Sequence, residues 1–338
     1  PIINSGDPGD SAPPGAGGRV DIGHLEQNGA SFYADDDYCQ TCNNDGLIWQ
    51  VNAFDKIQDA IDTVEAIQTS LTTGEVVPFT IGVAPGIYDE LLTIRSPITL
   101  LGSGADQTIL QPSSDGGVTF NGATQAGIEG FQIDGTAAAN FSTGILVTGN
   151  ANNITIQRNL IVNWTKSGQA IVFEDRGSGI VKFNTIVNSS LGIQANGDWA
   201  VVQATNNIIY HSIVGSFTAM ETNGTPIGGI INSDYNLLYR SVFGLYYTRV
   251  NQGANDILDV DPQFVDTTDY MIQVTSPAID AADPGEPVSL GGGLIADIGY
   301  HEYEDQTIAL SILMGELDAS RVTANIGVQA VEYGVVPV

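Results

Sequence analysis

Apolar residues recur along this chain at two periods. In VNAFDKIQDAIDTVEAIQTSL, Phe54, Ile57, Ile61, Val64 and Ile67 fall at three- and four-residue steps. That is the period of one helix face, and it predicts a helix over Phe54–Gln68. Asn52 stands where a cap would accept the first free N–H groups, and Asp55 completes a weak capping box. Beyond Gly74 the period drops to two. FTIGVAPGIYDELLTI alternates, turns at Pro85-Gly86 and resumes, and PITLLGSGADQTILQP does the same one step later.

The alternating stretches then repeat. NITIQRNLIVN, GIVKFNTIVN, AVVQATNNIIYH and GIINSDYNLLYR align on Asn159, Asn184, Asn207 and Asn236, at spacings of 25, 23 and 29 residues. GIEGFQID is an earlier copy, with Gly130 at the aligned position. Periods in the twenties, each holding two or three short strands, predict the coils of a β-solenoid. Stacked coils bury their inward Ile and Val side chains. Each corner needs a tight bend, often left-handed, which Asn tolerates. Asn side chains stacked at one corner hydrogen-bond along the axis as a ladder. The Leu-x-x-Leu-x-Leu pattern of leucine-rich repeats is missing.

Two motifs flank the repeat. AFDKIQDAID…FTIGVAPGIYDELLTI…PITLLGSG resembles the start of right-handed parallel β-helix proteins of the pectate-lyase-like superfamily. VDPQFVDTTDYMIQVTSPAIDAADPGEP…ADIGYHEY resembles the closing stretch of many secreted members. The resemblance covers about residues 32–303. It implies an all-β, right-handed parallel β-helix whose N-terminal helix caps the first coil and shields an open sheet edge.

Composition narrows the function. There are 39 acidic side chains against 10 basic, a net charge of −29. That balance excludes nucleic acid as a partner, because phosphate binding needs clustered Lys and Arg. It fits an extracellular or cell-surface location. No run of 18 apolar residues exists, so no membrane span is expected. The Arg-x-Pro-x-x-Arg and Trp-x-Asp-His patterns of pectate lyases are absent, as are the Asp-Asp, Gly-His-Gly and Arg-Ile-Lys signatures of polygalacturonases.

Candidate chemistry is sparse. Asp134, Asn163, Asn188, His211 and Arg240 form a row just after the ladder, one residue per coil, able to bind sugar or to act as a solvated polar row. Arg176, in the charged loop FEDRGSG, joins Arg240 and His211 as a weak catalytic candidate. Asp35, Asp36, Asp37 and Asp45 offer hard oxygens to Ca²⁺, or form a solvated acidic loop. No cofactor is required by these patterns. Cys39 and Cys42 are half a zinc ligand set; they read as a local disulfide or as two free thiols. Asn140, Asn153, Asn163, Asn188 and Asn223 begin Asn-x-Ser/Thr triplets, which permit surface glycans in a secreted protein.

The chain also begins with a copy of its closing motif. PIINSGDPGD and DIGHLE align without gaps to PAIDAADPGE and DIGYHE near the other end. The opening shows neither the basic nor the apolar region of a targeting segment. Residues 304–338 hold two strand-like runs, Ile308–Met314 and Val322–Tyr333, too few for a core of their own. Three parts follow: a segment 1–31 repeating the closure, a β-helix over 32–303, and a strand tail over 304–338. Matching closures at both ends predict a head-to-tail homo-oligomer, a structural subunit of an extracellular fibre, and lean away from an enzyme. The alternative is a polysaccharide-binding or polysaccharide-degrading β-helix.

Overall fold

The alternating stretches form short strands, and three consecutive strands make a coil. The computed structural model describes residues 32–71, 77–197, 199–220, 228–241, 244–247, 249–288, 293 and 295–303. The expected segments 1–31 and 304–338, with both strand-like runs of the tail, lie outside the described residues.

The strands stack into three parallel faces. The first runs through Phe32–Ala34, Phe79–Val83, Ile98–Gly102, Gly127–Glu129, Ile154–Gln157, Ser178–Lys182, Val201–Thr205, Ile230–Asp234 and Val250–Gln252. The second runs through Gly86–Tyr88, Thr108–Leu110, Gln132–Asp134 and Leu160–Val162 to the leading parts of Thr185–Asn196 and Ile208–Met220, then Leu237–Tyr239 and Ile257–Leu258. The third runs through Leu92–Ile94, Val118–Asn121, Thr143–Thr148 and Gln169–Glu174 to the trailing parts of the same two long strands, then Tyr246–Tyr247. This is the right-handed parallel β-helix that the flanking motifs implied, with the hand that crossovers between parallel strands almost always take.

Register explains the core. On the first face Ile81, Leu100, Ile128, Ile156, Val181 and Ala204 are successive partners, all buried. On the second, Leu110, Ile133, Ile161, Ile186, Ile209 and Leu238 stack in the same way. Like side chains in adjacent coils therefore touch along the axis.

The Asn ladder lies at the corner between the first and second faces. Asn159, Asn184, Asn207 and Asn236 are all fully buried. Each Nδ2 donates to the next Asn Oδ1, at 3.1, 3.0 and 2.9 Å in turn. Each also donates to a carbonyl of the preceding coil, such as Ile128 or Ile156. Asp256 ends the ladder, its Oδ1 accepting from the Asn236 backbone N and Nδ2. Two details differ from the sequence reading. The left-handed residue is the one before each ladder Asn: Arg158, Phe183, Asn206 and Tyr235, with φ of 51° to 59°. Gly130, at φ 77°, belongs to that set, and the register puts Phe131 opposite Asn159.

Helix α1 spans Ile57–Ser70 and buries Ile57, Ala60, Ile61 and Val64 over the first coil. It starts later than the expected Phe54, and neither Asn52 nor Asp55 caps it. Asn52 instead accepts from the Ile48 backbone N. The free N–H groups of Ile57 and Gln58 reach Glu90, at 2.9 and 3.0 Å. A carboxylate from the first coil thus meets the positive end of the helix dipole. Burial raises the Glu90 carboxyl above its ordinary range, and these backbone donors pull it back.

The closing motif is not an end cap. After Ile257–Leu258 the chain turns back and straps the outer surface of the second face. Ile272, Ala278, Ala282, Ala296 and Ile298 pack on Phe183, Ile208 and Leu237. Gly299 N donates to Asn206 O, Tyr300 N to Thr185 Oγ1, and Asp283 N to Asn206 Oδ1. Its copy-bearing residues are therefore spent on the side of the β-helix. The premise of end-to-end stacking through that motif is lost.

Candidate functional site

The polar row expected to bind sugar lies at the corner between the second and third faces. Asn163, Asn188, His211 and Arg240 occupy equivalent left-handed positions there, at φ 67°, 52°, 60° and 57°. Asp134 sits one register position earlier, opposite Val162. The row is largely satisfied within itself. Asn163 donates to Asp134 Oδ1, His211 Nδ1 lies 2.7 Å from Asn188 Oδ1, and Asn188 Nδ2 donates to the Tyr270 hydroxyl. Arg240 stacks over Tyr239. Arg176 is exposed on a turn at the opposite corner, where the third face passes to the first. Arg176, His211 and Arg240 consequently do not converge on one site.

The other expectations are placed as follows. Cys39 and Cys42 are joined as a disulfide. Of the acidic loop, Asp35 Oδ1 accepts from Asp37 N, and Asp45 accepts from the Tyr38 hydroxyl. Burial, then the charges of Asp36, Asp37 and Asp45, raise the Asp35 carboxyl. Among the described residues no group of three or more His, Cys, Asp or Glu side chains is arranged to hold a metal ion. Asn140 and Asn153 are exposed, Asn163 and Asn188 are half-buried and hydrogen-bonded, and Asn223 lies outside the described residues.

A concave site is found elsewhere, on the outer surface of the first face. A depression of about 380 Å³ is lined by Thr99, Gln125, Gly127, Glu129, Asn153, Thr155 and Gln157, with the apolar Ala126 and Ile128. Strand geometry builds it. Thr99, Gly127 and Thr155 are register partners in three successive coils, and Glu129 and Gln157 form the next outward row. Gly127 keeps the floor low: a Cβ there would lie 2.8 Å from the Thr155 carbonyl oxygen. Gln125 and Asn153 stand at the rim on left-handed corners.

One carboxylate is fixed in this groove from both sides. Gln157 Nε2 donates to Glu129 Oε2 at 2.6 Å, and Arg158 Nη1 lies 3.8 Å from Glu129 Oε1. Arg158 also covers the Phe183 ring at 5.1 Å. Beyond it, Lys182 is held by Glu286 of the strap at 2.8 Å. Both cations beside the groove are therefore neutralised by neighbouring carboxylates. In the sequence this surface is masked by the stronger repeat of the ladder Asn. The signal was two places earlier in each repeat, where Gln157, Lys182, Thr205 and Asp234 form an outward polar column.

No protein-family model and no curated protein matches the chain. Solved structures do resemble it. Pectin methylesterase PemA from Erwinia chrysanthemi is 12% identical, with 69% of this chain and 94% of that chain covered and a TM-score of 0.35. The enzyme from Aspergillus niger is 15% identical, at 81% and 93% coverage and a TM-score of 0.28. That from Yersinia enterocolitica is 13% identical, at 57% and 81% coverage and a TM-score of 0.33. The likeness is one of β-helix fold. The expectation of a fibre subunit built head to tail is corrected by the fold itself: the motif meant to join subunits is engaged along the side of its own β-helix. No helix among the described residues is long and apolar enough to cross a membrane.

Proposed function

We propose that the protein is an extracellular polysaccharide-binding β-helix that takes a neutral glycan along its first face. The observation that carries this reading is the groove around Thr99, Gln125, Glu129, Asn153, Thr155 and Gln157. Hydroxyl, carboxamide and carboxylate groups repeat there from coil to coil, about 4.8 Å apart as in any sheet. Such a row offers matched donors and acceptors to the hydroxyls of an extended sugar chain. Charge selects the ligand class. Arg158 and Lys182 are paired with Glu129 and Glu286, and a net charge of −29 repels polyanions at long range. The Cys39–Cys42 disulfide supports an oxidising, extracellular setting.

Binding is the extent of the proposal. The groove lining contains one carboxyl, Glu129, whereas glycoside hydrolysis ordinarily uses two carboxyl groups flanking the scissile bond.

Pull-down on insoluble neutral glycans, followed by affinity electrophoresis with soluble ones, tests the reading. The wild-type protein should bind with little loss between low and high salt, since no unpaired cation is involved. Thr155→Ala with Gln157→Ala should weaken binding roughly tenfold or more, as loss of one or two sugar hydrogen bonds requires. Asn163→Ala, at the other corner, should not. Preference for polygalacturonate, or binding unchanged in the double variant, would overturn the assignment.

A further inference from the structure

The strap that covers the second face carries an unusual set of carboxyl groups. Asp297 is only 2% exposed, and its oxygens accept from Asp280 N at 2.8 Å and Tyr303 N at 2.6 Å. Glu302, five residues on, accepts from Asp297 N through Oε2 at 3.4 Å. Its other oxygen, Oε1, is buried with no hydrogen-bond partner. Asp280 completes the group, accepting from Ile295 N. Three carboxyls thus meet where the strap folds on itself. The cation that faces them from the β-helix is Arg158, already committed to Glu129 and stacked on Phe183. His301 faces Asp297 from the strap itself.

An ionised carboxylate with one buried, unpartnered oxygen beside two other acids is costly, whereas the protonated form is not. Burial first, then the Asp297 and Asp280 charges, push the Glu302 carboxyl up to about 7, against the pull of Asp297 N and Arg158. Burial likewise raises Asp297. We infer that residues 295–303 form an acid-locked strap: the protonated Glu302 carboxyl keeps it seated on the second face, and ionisation of that carboxyl loosens it.

The sign follows from linkage. A carboxyl raised in the folded state holds its proton where the unfolded chain has lost it, so the strap loses stability as pH rises from about 4.5 toward 7. Loosening would uncover Phe183, Ile208 and Leu237, on which Ala296 and Ile298 pack. This inference is independent of glycan binding.

Amide hydrogen exchange on the full chain tests it, with rates corrected for intrinsic pH dependence. Between about pH 5.5 and about pH 8, protection of Ile298, Gly299 and Tyr303 should fall roughly tenfold or more, as one or more titration units imply. Amides of Gln169–Glu174 on the third face should stay constant. Glu302→Gln, a neutral isostere, should keep the strap protected at both values. His301→Asn should retain the wild-type pH response. Flat protection in the wild type, an unchanged response in Glu302→Gln, or its loss in His301→Asn would each overturn the inference.

Discussion

A buried amide needs every one of its hydrogen-bond partners, and the four ladder Asn residues show how few substitutions satisfy that demand. Asn184 donates to Asn207 Oδ1, Ile156 O and Lys182 O, while its own Oδ1 accepts from the Asn159 backbone N and Nδ2. Asn184→Ala strips partners from both neighbours in a dry corner, and we expect a loss on the order of 3 kcal/mol in urea denaturation. Asn163→Ala at the half-buried corner should cost less than about 1 kcal/mol, because water replaces its partner. The same residue-level logic decides the left-handed corners. Arg158, Phe183 and Tyr235 adopt a conformation that is costly for most side chains. The ladder hydrogen bonds on the next residue hold it in place.

At the level of elements, the helix and the strap each solve a burial problem. Helix α1 covers the first coil, so the apolar residues of Phe32–Ala34 and Phe79–Val83 meet its buried face instead of water. Glu90 makes that docking specific by capping the helix from the coil below. Glu90→Ala should cost about 1 kcal/mol, typical of a lost N-terminal cap, and should speed exchange of the Ile57 and Gln58 amides. The strap has a sequence signature of its own. LIV at 160–162, TIV at 185–187, IIY at 208–210 and LLY at 237–239 do not alternate as strands with one wet face do. Leu160–Val162 is buried at all three positions, since the inward residue meets the core and the outward ones meet the strap. Ile161→Ala, deep in the stack, should cost about 2–5 kcal/mol.

The described residues form a three-faced β-helix in a strongly acidic chain, and the stability of the molecule should follow that charge. Glu302, Asp297, Glu90 and Asp35 are all raised by burial. Each supports the folded state fully below its ordinary pKa and loses that support as pH rises toward the raised value, which for Glu302 is about 7. Self-repulsion among 39 acidic groups acts in the same direction. The melting temperature is therefore expected to be higher near pH 5.5 than near pH 8. Added salt should narrow the gap by screening the exposed charges, without closing the part due to the buried carboxyls. A calorimetric pH series at two salt concentrations checks both statements.

The sequence by itself determined the repeat, coils of two or three short strands, the capping helix and the inward Asn ladder. Each of these rests on local periodicity and on side chains meeting their equivalents one coil away. Tertiary structure alone decided the rest. Asp256 closes the ladder and Glu90 caps the helix, contacts made 20 and more residues away with no pattern to announce them. The closing motif reads the same whether it lies across an end or along a side; only the fold laid it on the apolar outer rows of the second face. The groove arose similarly: Thr155, Gln157 and Glu129 are unremarkable outward residues until coil register brings them together over Gly127.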